Sequence, residues 1–108
     1  TGVTWQLVEL EGRSFAAAGE SYTLKLGVDG KLSGMGDCNR LMGGFSNPKS
    51  GEIKFNQLGS TRMMCPNQEQ ETKFMRLVES ADGYKIDGNT LMLFRGDEYI
   101  MAFGLKRE

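Results

Sequence analysis

Cys38 lies in the stretch GMGDCNRLMGGFS, residues 34–46, with Asn39 and Arg40 directly after it. It and Cys65 are the only cysteines in the chain, and Arg62 stands three residues before Cys65. A guanidinium beside a thiol lowers its pKa or recruits an anion, so each Cys–Arg pair is a candidate for thiolate chemistry. The alternative is that each arginine pairs with a nearby carboxylate, Asp37 or Glu69, or caps strand-end carbonyls. The cysteines admit three readings: a structural disulfide, two buried thiols packed as small apolar groups, or a reactive thiolate. If bridged, they close a 28-residue loop, which would add roughly 3.6 kcal/mol by restricting the unfolded chain.

The partners that such chemistry usually needs are missing from the sequence. It contains no histidine, which removes the commonest general base and every Ser-His or Cys-His arrangement. Two cysteines without histidine do not complete a tetrahedral zinc site, and their spacing is far from C-x-x-C. GMG and Gly43-Gly44 could suggest a phosphate loop, but strand pattern follows them where a helix start is required. The glycines are better read as places where a bent strand meets another backbone. Asp29, Asp82, Asp87 and Asp97 each sit near a glycine in a predicted turn, with no D-x-D-x-D-G run for calcium. The expectation is no enzyme, no metal and no cofactor.

Seven methionines, Met35, Met42, Met63, Met64, Met75, Met92 and Met101, read either as core filling or as a deformable apolar cavity or partner surface. Met63 and Met64 would point to opposite faces of a strand, leaving one exposed.

Alternation dominates the elements that must position these residues. In YTLKLGV, Tyr22, Leu24, Leu26 and Val28 share one face and Thr23 and Lys25 the other. Asp29-Gly30 predicts a type I′ hairpin into KLSGMG. The same grammar recurs at Asp87-Gly88 and at Gly96-Asp97, between YKI, TLMLF and EYIMAFGL. RLMGGFS and GEIKF read as strands flanking NPKS, with Pro48 stopping the first. LGSTRMM, residues 58–64, reads as a short strand. One helix is plain: Phe74, Leu77, Val78 and Ala81 recur at i, i+3, i+4 and i+7. Asn67 is the predicted N-cap, Gln70 the capping-box partner, and Glu69 and Glu71 suit the positive end of the macrodipole. Gly83 is the predicted stop.

These elements predict one α+β domain over residues 1–108: a strongly curved, barrel-like antiparallel sheet of about eight short strands with one α-helix packed on it. Thirteen basic and fourteen acidic residues leave a net charge of −1, which argues against nucleic acid and anionic surfaces as primary partners. No segment approaches the roughly 18 apolar residues of a membrane span, and no basic-then-apolar leader opens the chain. A monomer is expected.

Three stretches in order, TWQLVELEG, CNRLMGGFS and LGSTRMMCP, together with the closing DGNTLMLF, resemble the META domain, also called the HslJ family. The resemblance runs from Trp5 to about Phe103. Departures are the lead-in Gly34–Asp37 and Gly59 where alanine is usual. The resemblance implies a small β-barrel-like fold with one helix, in a bacterial cell envelope setting (periplasm or lipoprotein-anchored). It also implies a link to stress or drug tolerance, and a similarity to the lipid-binding pilotins of secretion systems. It carries over no catalytic residue. The matching positions are Cys38, Asn39, Arg40, Thr61, Arg62, Met63 and Cys65, each of structural or binding role, and Asn39 suits a left-handed or Asx-turn position at a bend. The expected function is a non-catalytic binding or scaffold module with a protein partner. The alternative is a carrier of a lipid or other apolar molecule.

Overall fold

A computed structural model of the chain describes residues 3–17, 19, 21–27, 29–47 and 49–106. The predicted roles of Val28 and Pro48 lie outside the described residues. Nine strands and one helix follow in the order β1 (Thr4–Leu10), β2 (Arg13–Ser14), β3 (Thr23–Leu26), β4 (Lys31–Met35), β5 (Arg40–Ser46), β6 (Lys54–Ser60), α1 (Gln68–Ser80), β7 (Gly83–Asp87), β8 (Thr90–Arg95) and β9 (Glu98–Lys106). The sheet is antiparallel throughout and runs β6-β5-β4-β3-β1-β9-β8-β7, with β2 attached to β1. Its two outer strands approach each other without forming a full ladder. Glu52 and Gly83 make a single bridge, supported by Ile53 N–H donating to Asp82 O at 3.1 Å and Tyr84 N–H to Gly51 O at 2.9 Å. The sheet is therefore a curved, nearly closed wall.

Alternation puts the core on its concave side. Trp5 and Leu7 point inward; a bulge between Leu7 and Glu9 then shifts the phase, so that Val8 is exposed and Leu10 is buried. The helix lays its predicted stripe into that concavity. Phe74 is fully buried, its ring edge-on to Tyr22 at 5.1 Å and to Phe103 at 6.2 Å. With Leu24, Leu91, Leu93 and Met101 these rings fill the interior, and burying each large side chain contributes about 1.5–3 kcal/mol.

The turns differ from expectation in detail. Gly96-Asp97 is a two-residue loop, but the next such loop is Gly88-Asn89, because Asp87 already pairs with Thr90. At Asp29-Gly30 only Gly30 has positive φ, and Gly27 N–H reaches Lys31 O at 2.9 Å, which makes the loop one residue longer than a type I′ turn. Positive φ at two successive turn residues occurs instead at Glu11-Gly12, between β1 and β2. The strand predicted from Gly51 begins at Lys54 and runs to Ser60, absorbing the start of 58–64; residues 61–65 follow outside any named strand. Asn67 makes no side-chain cap, so the capping box does not form. The helix ends at Ser80, with extended Ala81 as its C-cap, and Gly83 already belongs to β7.

Glycines Gly34 and Gly36 are steric necessities, as the sequence reading held. A Cβ on Gly34 would lie 2.1 Å from Thr23 O, and one on Gly36 2.6 Å from Glu71 Cγ.

Candidate functional site

The bend from β4 into β5 carries Asp37, Cys38 and Asn39 beneath the start of α1. Cys38 and Cys65 form a disulfide, with Cα atoms 5.8 Å apart. Beside it Glu71 is 1% exposed and Asn39 2% exposed, a carboxylate and an amide carried deep into a small protein. Burial of that kind requires partners. Glu71 Oε2 accepts from the backbone N–H groups of Cys38 and Asn39, both at 3.0 Å, and Oε1 accepts from Asn39 Nδ2 at 2.6 Å. Burial alone would raise the pKa of Glu71. The Asn39 side chain and the backbone donors of Asn39, Cys38 and Asp37 outweigh it and hold the carboxyl below its ordinary value.

Asn39 is the hub. Its Oδ1 accepts from Met63 N–H at 2.6 Å and from Thr61 Oγ1 at 3.0 Å, while Nδ2 also donates to Met63 O at 3.0 Å. Thr61 Oγ1 in turn accepts from Arg40 N–H at 2.9 Å, and Thr61 N–H donates to Arg40 O at 3.1 Å. One side chain thus serves both backbone groups of a segment 24 residues away. The left-handed backbone expected of Asn39 is not used; among non-glycine described residues positive φ falls at Glu11, Tyr22 and Gln57.

The structure therefore brings Cys38, Asn39, Thr61, Met63 and Cys65 into one knot with Glu71. It does not bring in the guanidinium groups. Arg40 and Arg62 are exposed, and neither forms an ion pair among the described residues. The pairing expected with Asp37 or Glu69 is absent among the described residues; Asp37 Oδ2 accepts instead from Asn67 N–H at 3.2 Å. Glu71 and Gln68 are the functional-looking residues that the sequence reading missed. Glu71 suits the helix dipole, yet it lies three residues before Phe74 and so continues the apolar stripe by one turn. A carboxylate on that stripe was the available signal.

The knot presents a surface. Met63 is 58% and Met64 88% exposed, and with Arg62, Gln68, Thr72 and Met75 they border a cleft of about 480 Å³. A second, more apolar cleft of about 210 Å³ shares Thr72 and Met75 and continues along α1 past Leu58, Arg76 and Glu79. Core filling fails as the general role of the methionines: Met101 is fully buried, but Met42, Met63 and Met64 are exposed. A larger cleft, about 640 Å³, lies by Leu10, Pro66 and Lys73 and contains none of the family-motif residues.

Cys38 Sγ, Cys65 Sγ and a Glu71 oxygen lie within 4.8 Å of one another, a spacing suited to a metal. Both sulfurs are spent in the bridge, however, and the thiolate is the ligating species. No described helix is long and apolar enough to cross a membrane.

A family model described as META domain matches residues 1–108. A search of curated protein sequences gave no significant match. Among solved structures, a protein determined by NMR aligns with a TM-score of 0.75 at 22% identity, covering 95% of this chain and 88% of its own. An NMR structure from Burkholderia xenovorans aligns at 0.71 and 23% identity, covering 98% and 83%. A crystal structure of a DUF4847 family protein from Bacteroides vulgatus ATCC 8482 aligns at 0.70 and 15% identity, covering 97% and 93%. At these identities the likeness is one of fold.

Proposed function

The chain belongs to the META domain family, and from that premise we propose that it is a non-catalytic binding module of the bacterial cell envelope, serving stress or drug tolerance by holding a protein partner. The observation that carries this reading is the methionine segment. Met63 and Met64 stand exposed at the rim of the cleft beside α1, while the backbone beneath them is fixed by Asn39 and the Cys38–Cys65 bridge. A preordered surface loses less entropy on association, and thioether side chains adapt to varied apolar contacts. A non-catalytic role is supported by the state of the reactive groups: the sulfurs are joined to each other and the Glu71 carboxylate is engaged by several donors. The bridge suits an oxidising compartment.

A lipid or other apolar ligand is the second reading, since the 480 Å³ cleft falls within the roughly 300–1,000 Å³ of small-molecule sites. The protein reading is favoured because the cleft is an open surface feature and the concave side of the sheet is filled by Phe74, Phe103 and Leu93.

A photo-crosslinking residue at position 64, with position 86 as an exposed control, tests the proposal in cells of the native host. One discrete protein adduct from position 64, lost on Met75→Ser and absent from position 86, is the expected result. A lipid-sized adduct that survives desalting in native mass spectrometry, with no protein crosslink, would overturn it in favour of the carrier.

A further inference from the structure

Glu71 does more to the disulfide than pack against it. Its Oε2 lies 3.4 Å from Cys65 Sγ, and Cys65 is buried while Cys38 is only half-buried. A thiol reductant therefore reaches the bridge at Cys38. In that step the external thiolate bonds to Cys38 Sγ, the Cys38–Cys65 bond breaks, and its electron pair leaves on Cys65 Sγ as a thiolate. A second thiolate then displaces Cys38, and both protein thiolates take up protons from water. Exchange rates depend on which sulfur is attacked and on how readily the other one leaves. Here the leaving sulfur would form as an anion in contact with a buried carboxylate.

We propose that Glu71 makes the Cys38–Cys65 bridge resistant to thiol reductants by disfavouring Cys65 as the leaving thiolate, so that the bridge persists in the folded protein under mildly reducing conditions. Two groups act in the opposite sense. Asn39 Nδ2 lies 3.4 Å from Cys65 Sγ, but it also donates to Met63 O and to Glu71 Oε1. The positive end of α1 begins three residues on from Cys65 and offers about half an elementary charge. Glu69 and Glu71 both occupy its first turn and offset that charge. Arg40 and Arg62 are both exposed, and among the described residues the side-chain donor near the bridge is Asn39 rather than either guanidinium. The inference is independent of which partner the methionine surface binds.

The test is the rate at which dithiothreitol reduces the native protein at pH 8, followed by alkylation and mass spectrometry, for wild type and Glu71→Gln. Glu71→Gln keeps the size and removes the charge, and should be reduced about tenfold faster or more. Gln68→Ala, which removes the bond from Cys65 N–H and the long 3.5 Å contact to Glu71 Oε1 but leaves the Glu71 charge in place, should remain within about twofold to threefold of wild type. Each rate is also measured in low urea. Attack on the folded state changes little with urea, whereas attack through global unfolding rises steeply. A Glu71→Gln rate within twofold of wild type would overturn the proposal, as would an increase that follows global unfolding. If Glu71→Gln does not fold, Glu71→Asp is measured in its place. It retracts the carboxylate by one methylene, and a moderately faster folded-state rate is expected; an unchanged rate would overturn the proposal.

Discussion

Asn39 and Asn89 each lie in a connection between antiparallel strands, and they hold the chain in opposite ways. Asn89 is exposed, and with Gly88 it makes a two-residue loop whose geometry is set by the positive φ of Gly88. The C-terminal meander β7–β8–β9 is built from two such loops, Gly88-Asn89 and Gly96-Asp97, each with a glycine at positive φ. Asn39 is buried and its own turn does not need it. It instead ties Thr61, Met63 and Glu71 to the β4–β5 bend. One region is organised by local backbone preference, the other by one side chain acting over a long sequence distance.

The sharpest way to break that contrast is to remove both amides. Asn39→Ala leaves both backbone groups of Met63 without their partner, and leaves Glu71 Oε1 with only the long 3.5 Å contact from Gln68 Nε2. A buried polar group so orphaned costs roughly 1–3 kcal/mol, and relaxation of the loop into water recovers part of the total. A loss of about 3 kcal/mol in urea-melt stability is expected. Asn89→Ala, at an exposed loop position, should stay within about 0.5 kcal/mol. Comparable losses at the two sites would mean that the knot contributes no more than an ordinary turn.

A smaller effect separates the regions by pH. The folded-state pKa of Glu71 lies below its ordinary value, so the unfolded chain binds the proton more readily. Its contribution to stability is full above the unfolded carboxyl pKa and is withdrawn as pH falls through that range toward the folded value. Urea midpoints measured from pH 6 down to pH 3 should therefore decline for wild type and decline less for Glu71→Gln. Equal slopes would remove Glu71 from the acid response. At the alkaline end the sign reverses. Tyr99, half-buried and donating to Glu9, has its pKa pushed up to about 12. The folded state then keeps that proton where the unfolded chain releases it, and stability falls as pH rises above about 10.

This contrast also explains what could be read from the sequence. The strand alternation, the Gly96-Asp97 loop and the Phe74–Ala81 stripe are local patterns, and the structure contains each of them. The steric role of Gly34 was legible because close packing leaves no room for a Cβ. The knot was legible only as a set of motif residues. Nothing near Asn39 indicates that its partner is Met63 N–H, since that pairing exists only after the sheet has curved and α1 has seated. Asn67 misled for the same reason. It has the right type for a cap, but the chain arrives from the disulfide and its backbone N–H is held by Asp37, with no cap bond from its own side chain. Glu71 was hidden by a good local explanation, the helix dipole, which competes with the less common buried role.

The smallest expected effect comes from an imperfection in the knot. Tyr22 is buried between Phe15, at 4.8 Å, and Phe74, and its hydroxyl has no hydrogen-bond partner among the described residues. Burial, with the charges of Asp37 and Glu71, pushes its pKa up to about 12. Tyr22→Phe keeps both edge-on ring contacts and removes only the unsatisfied oxygen. Relief of an unpaired polar group predicts a gain of about 1 kcal/mol, a melting temperature higher by roughly 4–8 °C for a domain of this size, and a weaker alkaline decline than in wild type. A loss of stability would mean that the hydroxyl is bonded in solution, and the long-range wiring that begins at Asn39 would then extend one residue further, into the aromatic core.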